Sequence, residues 1–184
     1  MTLPRLLVTG FGPFPGVPDN PSARLVEWID THHLPGVKTT VLPTEWSISE
    51  DVADLARSAD GVIMFGVATN SRHIRYERIS HSVASDARDA AGNPRPQAPV
   101  HSRRTDLPAT LLVEAARKAG FPVRLSHSAG TYICNTSYGA ALSANRRALF
   151  VHIPQPCGRS TVGETALNHH ALWLIAALQV LLFR

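Results

Sequence analysis

The sequence predicts an α/β fold with a mainly parallel central sheet. Three observations lead there. Short apolar runs alternate with helical patterns along the whole chain, the order of βα units. One run, "DGVIMFG", is apolar throughout, as in a strand covered on both faces. The length, 184 residues, fits one domain spanning residues 1–184.

The elements follow in order. "RLLVTG" is an apolar strand ending at Gly10, and the Gly/Pro-rich loop "FGPFPGVPDNPS" comes after it. A helix starts near Asn20 to Ser22, with Pro21 suited to its first turn, and runs through "ARLVEWID". "KTTVLP" is a second strand. "SISEDVADLARSA" opens with Ser47 and Glu50 in capping-box spacing and reads as a helix. The buried strand "DGVIMFG" comes next. Then "RHIRYERISHSVA" alternates roughly, and "SDARDAAGNPRPQAP" is a turn-rich loop. "TDLPATLLVEAARKAG" is a helix stopped by Gly120. "PVRLSHSAG" is a strand, "CNTSYGAALSANRR" a helix and "ALFVHIP" a strand. A last helix begins at Thr161, with Glu164 in capping-box spacing.

Composition narrows the function. The net charge is only +4, and the pairs Arg103-Arg104 and Arg146-Arg147 stand isolated, without interleaved aromatics, so no nucleic-acid partner is expected. Two cysteines make no disulfide framework, and a reducing, cytoplasmic setting is the default. The N-terminus lacks signal-peptide character. The apolar stretch "ALWLIAALQVLLF" is short for a bilayer and reads as a buried C-terminal helix, so no membrane partner is expected. A homo-oligomer stays open.

"GFGPFPG" after the first strand has the look of a nucleotide loop, but Pro13 and Pro15 remove backbone donors where a pyrophosphate would need them. The loop reads instead as a stiff segment placing Phe11 and Phe14 beside a cavity, or as two plain core rings.

The chemistry centres on Cys134 in "SAGTYICNTSYGAAL". A thiol at a helix start sits at the positive end of the macrodipole, which favours the thiolate, and free N–H groups there can bind an oxyanion. The competing reading is a small buried hydrophobe. A nucleophilic cysteine needs an imidazole. His152 ends the strand after the Cys134 helix, and in a parallel sheet strand ends and helix starts share one rim. Glu77 could accept the other imidazole N–H and fix its tautomer, or could be a surface carboxylate paired with Arg75 or Arg78. Cys157, in "PQPCGRS", is the weaker nucleophile candidate. No histidine pair has metal spacing with a third ligand, so no metal is expected.

These positions and their contexts resemble the pyroglutamyl peptidase I (pyrrolidone-carboxylate peptidase) family of cysteine peptidases. Four ordered blocks carry the likeness: "LLVTGFGPFPGVPDNPS", "FGVATNSRHIRYERIS", "SAGTYICNTSYGAAL" and "ALFVHIP". The resemblance implies a single α/β/α domain with a mixed, mainly parallel sheet and no cofactor. It implies a Cys134-His152-Glu77 triad that removes N-terminal pyroglutamate from peptides through a thioester. It places Phe11, Phe14, Tyr132 and Ile133 around a lactam pocket and Arg88 near the oxyanion. The chain departs from the family pattern at Val67, where the prototypes have a Gln that helps read the lactam. It also departs in "TNSR", with Arg72 displaced by one residue, in "ERISHS", and in the loop "DAAGNPRP". A related cysteine hydrolase acting on another amide or lactam, or a non-catalytic binding descendant, is the alternative.

Overall fold

The computed structural model describes residues 3–155 and 162–183. Its elements are β1 (Leu6–Phe11), α1 (Pro21–Asp30), β2 (Val37–Leu42), α2 (Ile48–Arg57), β3 (Gly61–Ala68), β4 (Ile74–Glu77) and β5 (Ile79–Ser80). There follow β6 (Arg103–Arg104), α3 (Ala109–Lys118), β7 (Val123–Ser126), α4 (Ile133–Ala144), β8 (Ala148–Pro154) and α5 (Glu164–Leu182). Six strands form one sheet in the order β2-β1-β3-β8-β4-β7. β2, β1, β3 and β8 run parallel, while β4 pairs antiparallel with β8 and carries β7 parallel to itself. The sheet is therefore mixed and mainly parallel. β5 and β6 form a separate two-stranded ribbon, and the strand at Arg103-Arg104 has no apolar pattern to announce it.

Side-chain alternation along the strands feeds two cores, one on each face. On one face Val8, Ile63, Phe65 and Val151 meet Leu25 and Val26 of α1, Leu112 of α3, and Leu174 and Leu178 of α5. On the other, Leu7, Met64 and Phe150 meet Val52 of α2 and Ile133, Tyr138 and Leu142 of α4. Helices on both faces give an α/β/α sandwich. β3 and β8, at the centre, are almost wholly buried, which is why their sequences carry no polar alternation.

Two local expectations need correction. Ser47 is the N-cap of α2 but is itself helical, and its side chain makes no capping bond, so the capping box does not form. The capping box expected at Thr161 falls outside the described residues; α5 begins at Glu164 with Gly163 as N-cap. α5 thus starts three residues later than the sequence suggested. It is long and apolar enough to cross a membrane by length and composition, and it packs Leu167, Ala171, Leu174, Ile175 and Leu178 into the first core.

The first loop is anchored by the residues that open α1. Asn20 accepts from the Ser22 backbone N–H (3.0 Å) and donates to the Gly12 carbonyl (2.8 Å). Ser22 Oγ accepts from the Phe11 N–H (3.0 Å). A side chain at Gly10 would run into the Ser22 backbone, so glycine lets helix and strand close up here. Pro21 takes the first helical position, where its missing N–H costs nothing.

Candidate active site

α4 starts at Ile133, so Cys134 lies in its first turn, over the sheet face that carries Gly66 and Phe150. Gly66 is opposite His152 in the β3–β8 register. A Cβ on Gly66 would lie 2.7 Å from Phe150 Cζ and 3.2 Å from Cys134 Sγ, so glycine leaves room for both the ring and the sulfur over this part of the sheet. Glu77 comes from β4, the antiparallel neighbour of β8. It opposes Phe150, two residues from His152 on the same face of the sheet. Its Oε1 accepts from His152 Nδ1 at 2.8 Å. Glu77 is fully buried and His152 nearly so. Holding the proton on Nδ1 leaves Nε2 as the free base of the ring.

Cys134, His152, Phe11, Phe14, Val67 and Tyr132 all line one cavity of about 480 Å³. Asn20, Thr44 and Arg75, with Ser126, Ser128, Ala129 and Gly130 from the loop before α4, complete much of the wall. Phe11 is both a core ring and a wall residue: it is buried against Phe150 (centroids 6.1 Å apart) and also lines the cavity. Tyr132 stands edge-on to Trp46 (5.2 Å) and donates its hydroxyl to the Arg88 carbonyl (2.9 Å).

Two of the residues assigned to the site by resemblance lie elsewhere. Ile133 is buried in the second core, because its position in α4 turns it toward the sheet, and it is not among the cavity-lining residues. Arg88 is exposed, donates to the Gly92 carbonyl (2.6 Å) and does not line the cavity. The altered loop accounts for this: Asp89 is buried and accepts from the N–H groups of Trp46, Ala91 and Asn93, winding the chain into a local turn that keeps its neighbour's guanidinium. Cys157 falls outside the described residues.

The thiol does not behave as the helix-start argument predicts. Burial pushes Cys134 up to about 12, and the nearby Glu77 carboxylate adds to the rise. Only its own backbone N–H pulls the other way. The residue keeps a partial opening to the cavity, yet loss of water around the sulfur outweighs the pull of its own backbone N–H. Burial thus favours the neutral thiol form of Cys134.

The asparagine after the cysteine also has a role the sequence did not disclose. Asn135 is buried, accepts from the His81 N–H (2.7 Å), and donates to the carbonyls of His81 and Val83 (both 3.0 Å). It ties the start of α4 to the chain leaving β5. Arg75 was foreseen only as a partner for Glu77; its position two residues earlier on an alternating strand was the signal that it shares the same face. Among the described residues, no group of three or more His, Cys, Asp or Glu side chains is placed to hold a metal ion.

An α/β/α sandwich with a helix-start thiol and a carboxylate-held imidazole on one cavity has the layout of a cysteine-type peptidase. Comparison with known proteins agrees with that class. The sequence model of pyroglutamyl peptidase matches residues 4–167. The pyrrolidone-carboxylate peptidase of Yersinia pestis (strain Pestoides F) is 30% identical over 195 residues, covering 96% of this chain and 87% of that protein. Among solved structures, the pyrrolidone carboxyl peptidase of Thermus thermophilus superposes with a TM-score of 0.79 at 25% identity, covering 90% of this chain and 96% of that one. The Thermococcus litoralis enzyme shares the fold with a TM-score of 0.84 at 22% identity, over 97% of this chain and 95% of that one. The chain belongs to the pyroglutamyl peptidase family.

Proposed function

We propose that this protein is a cysteine peptidase that removes N-terminal pyroglutamate from peptides, with Cys134, His152 and Glu77 as its triad. The observation that carries the reading is the buried Glu77–His152 pair at 2.8 Å, on the wall of the same cavity as the helix-start thiol. His152 Nε2 accepts the proton of Cys134 as Sγ attacks the carbonyl of the pyroglutamyl residue. The resulting imidazolium faces the Glu77 carboxylate, which stabilises it and holds the ring in register. First-turn N–H groups of α4 receive the tetrahedral oxyanion, each worth about 2.7–4 kcal/mol in the transition state. With Arg88 turned toward Gly92, the oxyanion rests on the backbone. His152 then protonates the departing amine, and water hydrolyses the thioester.

The lactam is compact and uncharged, which suits a cavity walled by Phe11, Phe14 and Tyr132. Val67 is half-buried on that wall and packs against the first core; its side chain offers the lactam no hydrogen bond. The reading needs no cofactor, nucleic acid or membrane partner and is compatible with a homo-oligomer. A reducing, cytoplasmic setting suits a nucleophile that must stay a free thiol.

Amide reporters carrying pyroglutamyl, prolyl or alanyl groups test the assignment. Clear preference for the pyroglutamyl reporter is expected. Equal or better turnover of the prolyl or alanyl reporter would make the protein a related hydrolase of another amide.

A further inference from the structure

Arg75 carries a charge on the cavity wall that the proposed triad chemistry does not use. It lines the wall and lies directly opposite His152 in the β4–β8 register, so the two side chains project from the same face of the sheet about 5 Å apart at their Cα atoms. Its Nε is 3.4 Å from Glu77 Oε1, too poorly aligned to make a hydrogen bond, and is buried without an acceptor. Among the described residues, the structure gives the guanidinium no hydrogen bond and no ion pair other than the one to Glu77, and about a third of the side chain remains open. Glu77 Oε1 is already committed to His152. A planar donor fork thus sits next to the general base with its terminal nitrogens unused. Guanidinium groups in that state bind carboxylates in preference to neutral groups.

The place of Arg75 decides which part of a substrate it meets. His152 hands its proton to the departing amine, so the leaving group lies beside His152, and whatever is attached to that amine extends over the neighbouring wall. In a leaving amino acid, the carboxylate is separated from the amine by a single carbon. We infer that Arg75 binds a carboxylate on the leaving group, which makes this a peptidase for pyroglutamyl amino acids with a free carboxylate, or for peptides with an acidic residue after pyroglutamate. This rests on the pyroglutamyl reading above and adds the substrate class.

Three substrates test it: pyroglutamyl-alanine with a free carboxylate, pyroglutamyl-alanine amide, and pyroglutamyl-aspartate amide. The wild type should favour a carboxylate-bearing substrate over the alanine amide by about tenfold to a hundredfold in kcat/KM, the range of one charge-assisted hydrogen bond. The preference should reside mainly in KM and shrink as salt is raised. Preference for the free acid identifies the α-carboxylate as the source; preference for the aspartyl amide alone identifies the side chain. In Arg75→Gln the ratio of acid to amide efficiency should collapse toward one, and Arg75→Lys should restore part of it. Equal efficiency on all three substrates, or a ratio unchanged in Arg75→Gln, overturns the inference while leaving the pyroglutamyl reading standing. No turnover of any of the three by folded wild type overturns both.

Discussion

Replacing Glu77 by Gln keeps the shape of the pair and removes its charge. The amide oxygen can still accept from His152 Nδ1 across the 2.8 Å contact, so the tautomer survives, while the imidazolium formed in the transition state loses its counter-charge. A floor for the cost is the difference between a charge-assisted and a neutral hydrogen bond, about 1–1.5 kcal/mol. A ceiling is the Coulomb attraction at 2.8 Å with an effective dielectric near 20, about 6 kcal/mol. The expected fall in kcat therefore lies between about tenfold and ten-thousandfold. KM should move little, because the loss is confined to the transition state. Stability should also fall: Glu77 Oε2 is buried without a partner, and an NH₂ group in its place would be an unsatisfied donor costing about 1–3 kcal/mol. Steady-state kinetics on a pyroglutamyl reporter, with a melting curve to confirm folding, reads both effects. A folded Glu77→Gln protein with kcat within threefold of wild type would refute the reasoning and return Glu77 to a structural role.

Gly66→Ala should lower both the melting temperature and kcat, because the new methyl group would lie 2.7 Å from Phe150 Cζ and 3.2 Å from Cys134 Sγ; a variant with wild-type kcat would show that the sulfur need not sit there. Cys134 titrates above its ordinary value of 9.0, so the folded state holds that proton more tightly than the unfolded chain. The resulting stability is complete below pH 9 and is lost as pH rises toward about 12, at no more than about 1.4 kcal/mol per pH unit. Cys134→Ser, which cannot ionise in this range, should accordingly lose less stability than wild type between pH 9 and 11 in denaturant titrations; parallel losses would contradict the raised thiol. Val67→Gln should raise kcat/KM for pyroglutamyl substrates by about 0.5–1.5 kcal/mol, one polar contact. A stable variant with no gain would mean the pocket reads the lactam another way.

The sequence disclosed the layers and most elements because the periodicities are clean: β1, β3 and β8 are apolar runs, and α1 through α3 carry amphipathic patterns. It also placed Cys134 and His152 on one cavity, since helix starts and strand ends meet at one rim. Glu77 was harder to place, because its partner depends on β4 running antiparallel beside β8, and a four-residue strand carries no signal of direction. The thiol's upward shift was not legible because a helix start is a local feature, whereas desolvation depends on the whole packed surround. Arg88 was misplaced because the turn around Asp89 is set by tertiary bonds to Trp46, 43 positions away in the chain. Asn135 reads in sequence as an ordinary helix residue; its three bonds go to a segment more than fifty positions earlier.

The central claim is that Cys134 carries the reaction. Turnover of a pyroglutamyl reporter by wild type and by Cys134→Ala, measured side by side with both proteins shown to be folded, tests it most directly. The account predicts steady hydrolysis by wild type and none above background in the variant. Hydrolysis by Cys134→Ala at a rate comparable to wild type would contradict it and send the search for the nucleophile elsewhere in the chain, beginning with Cys157.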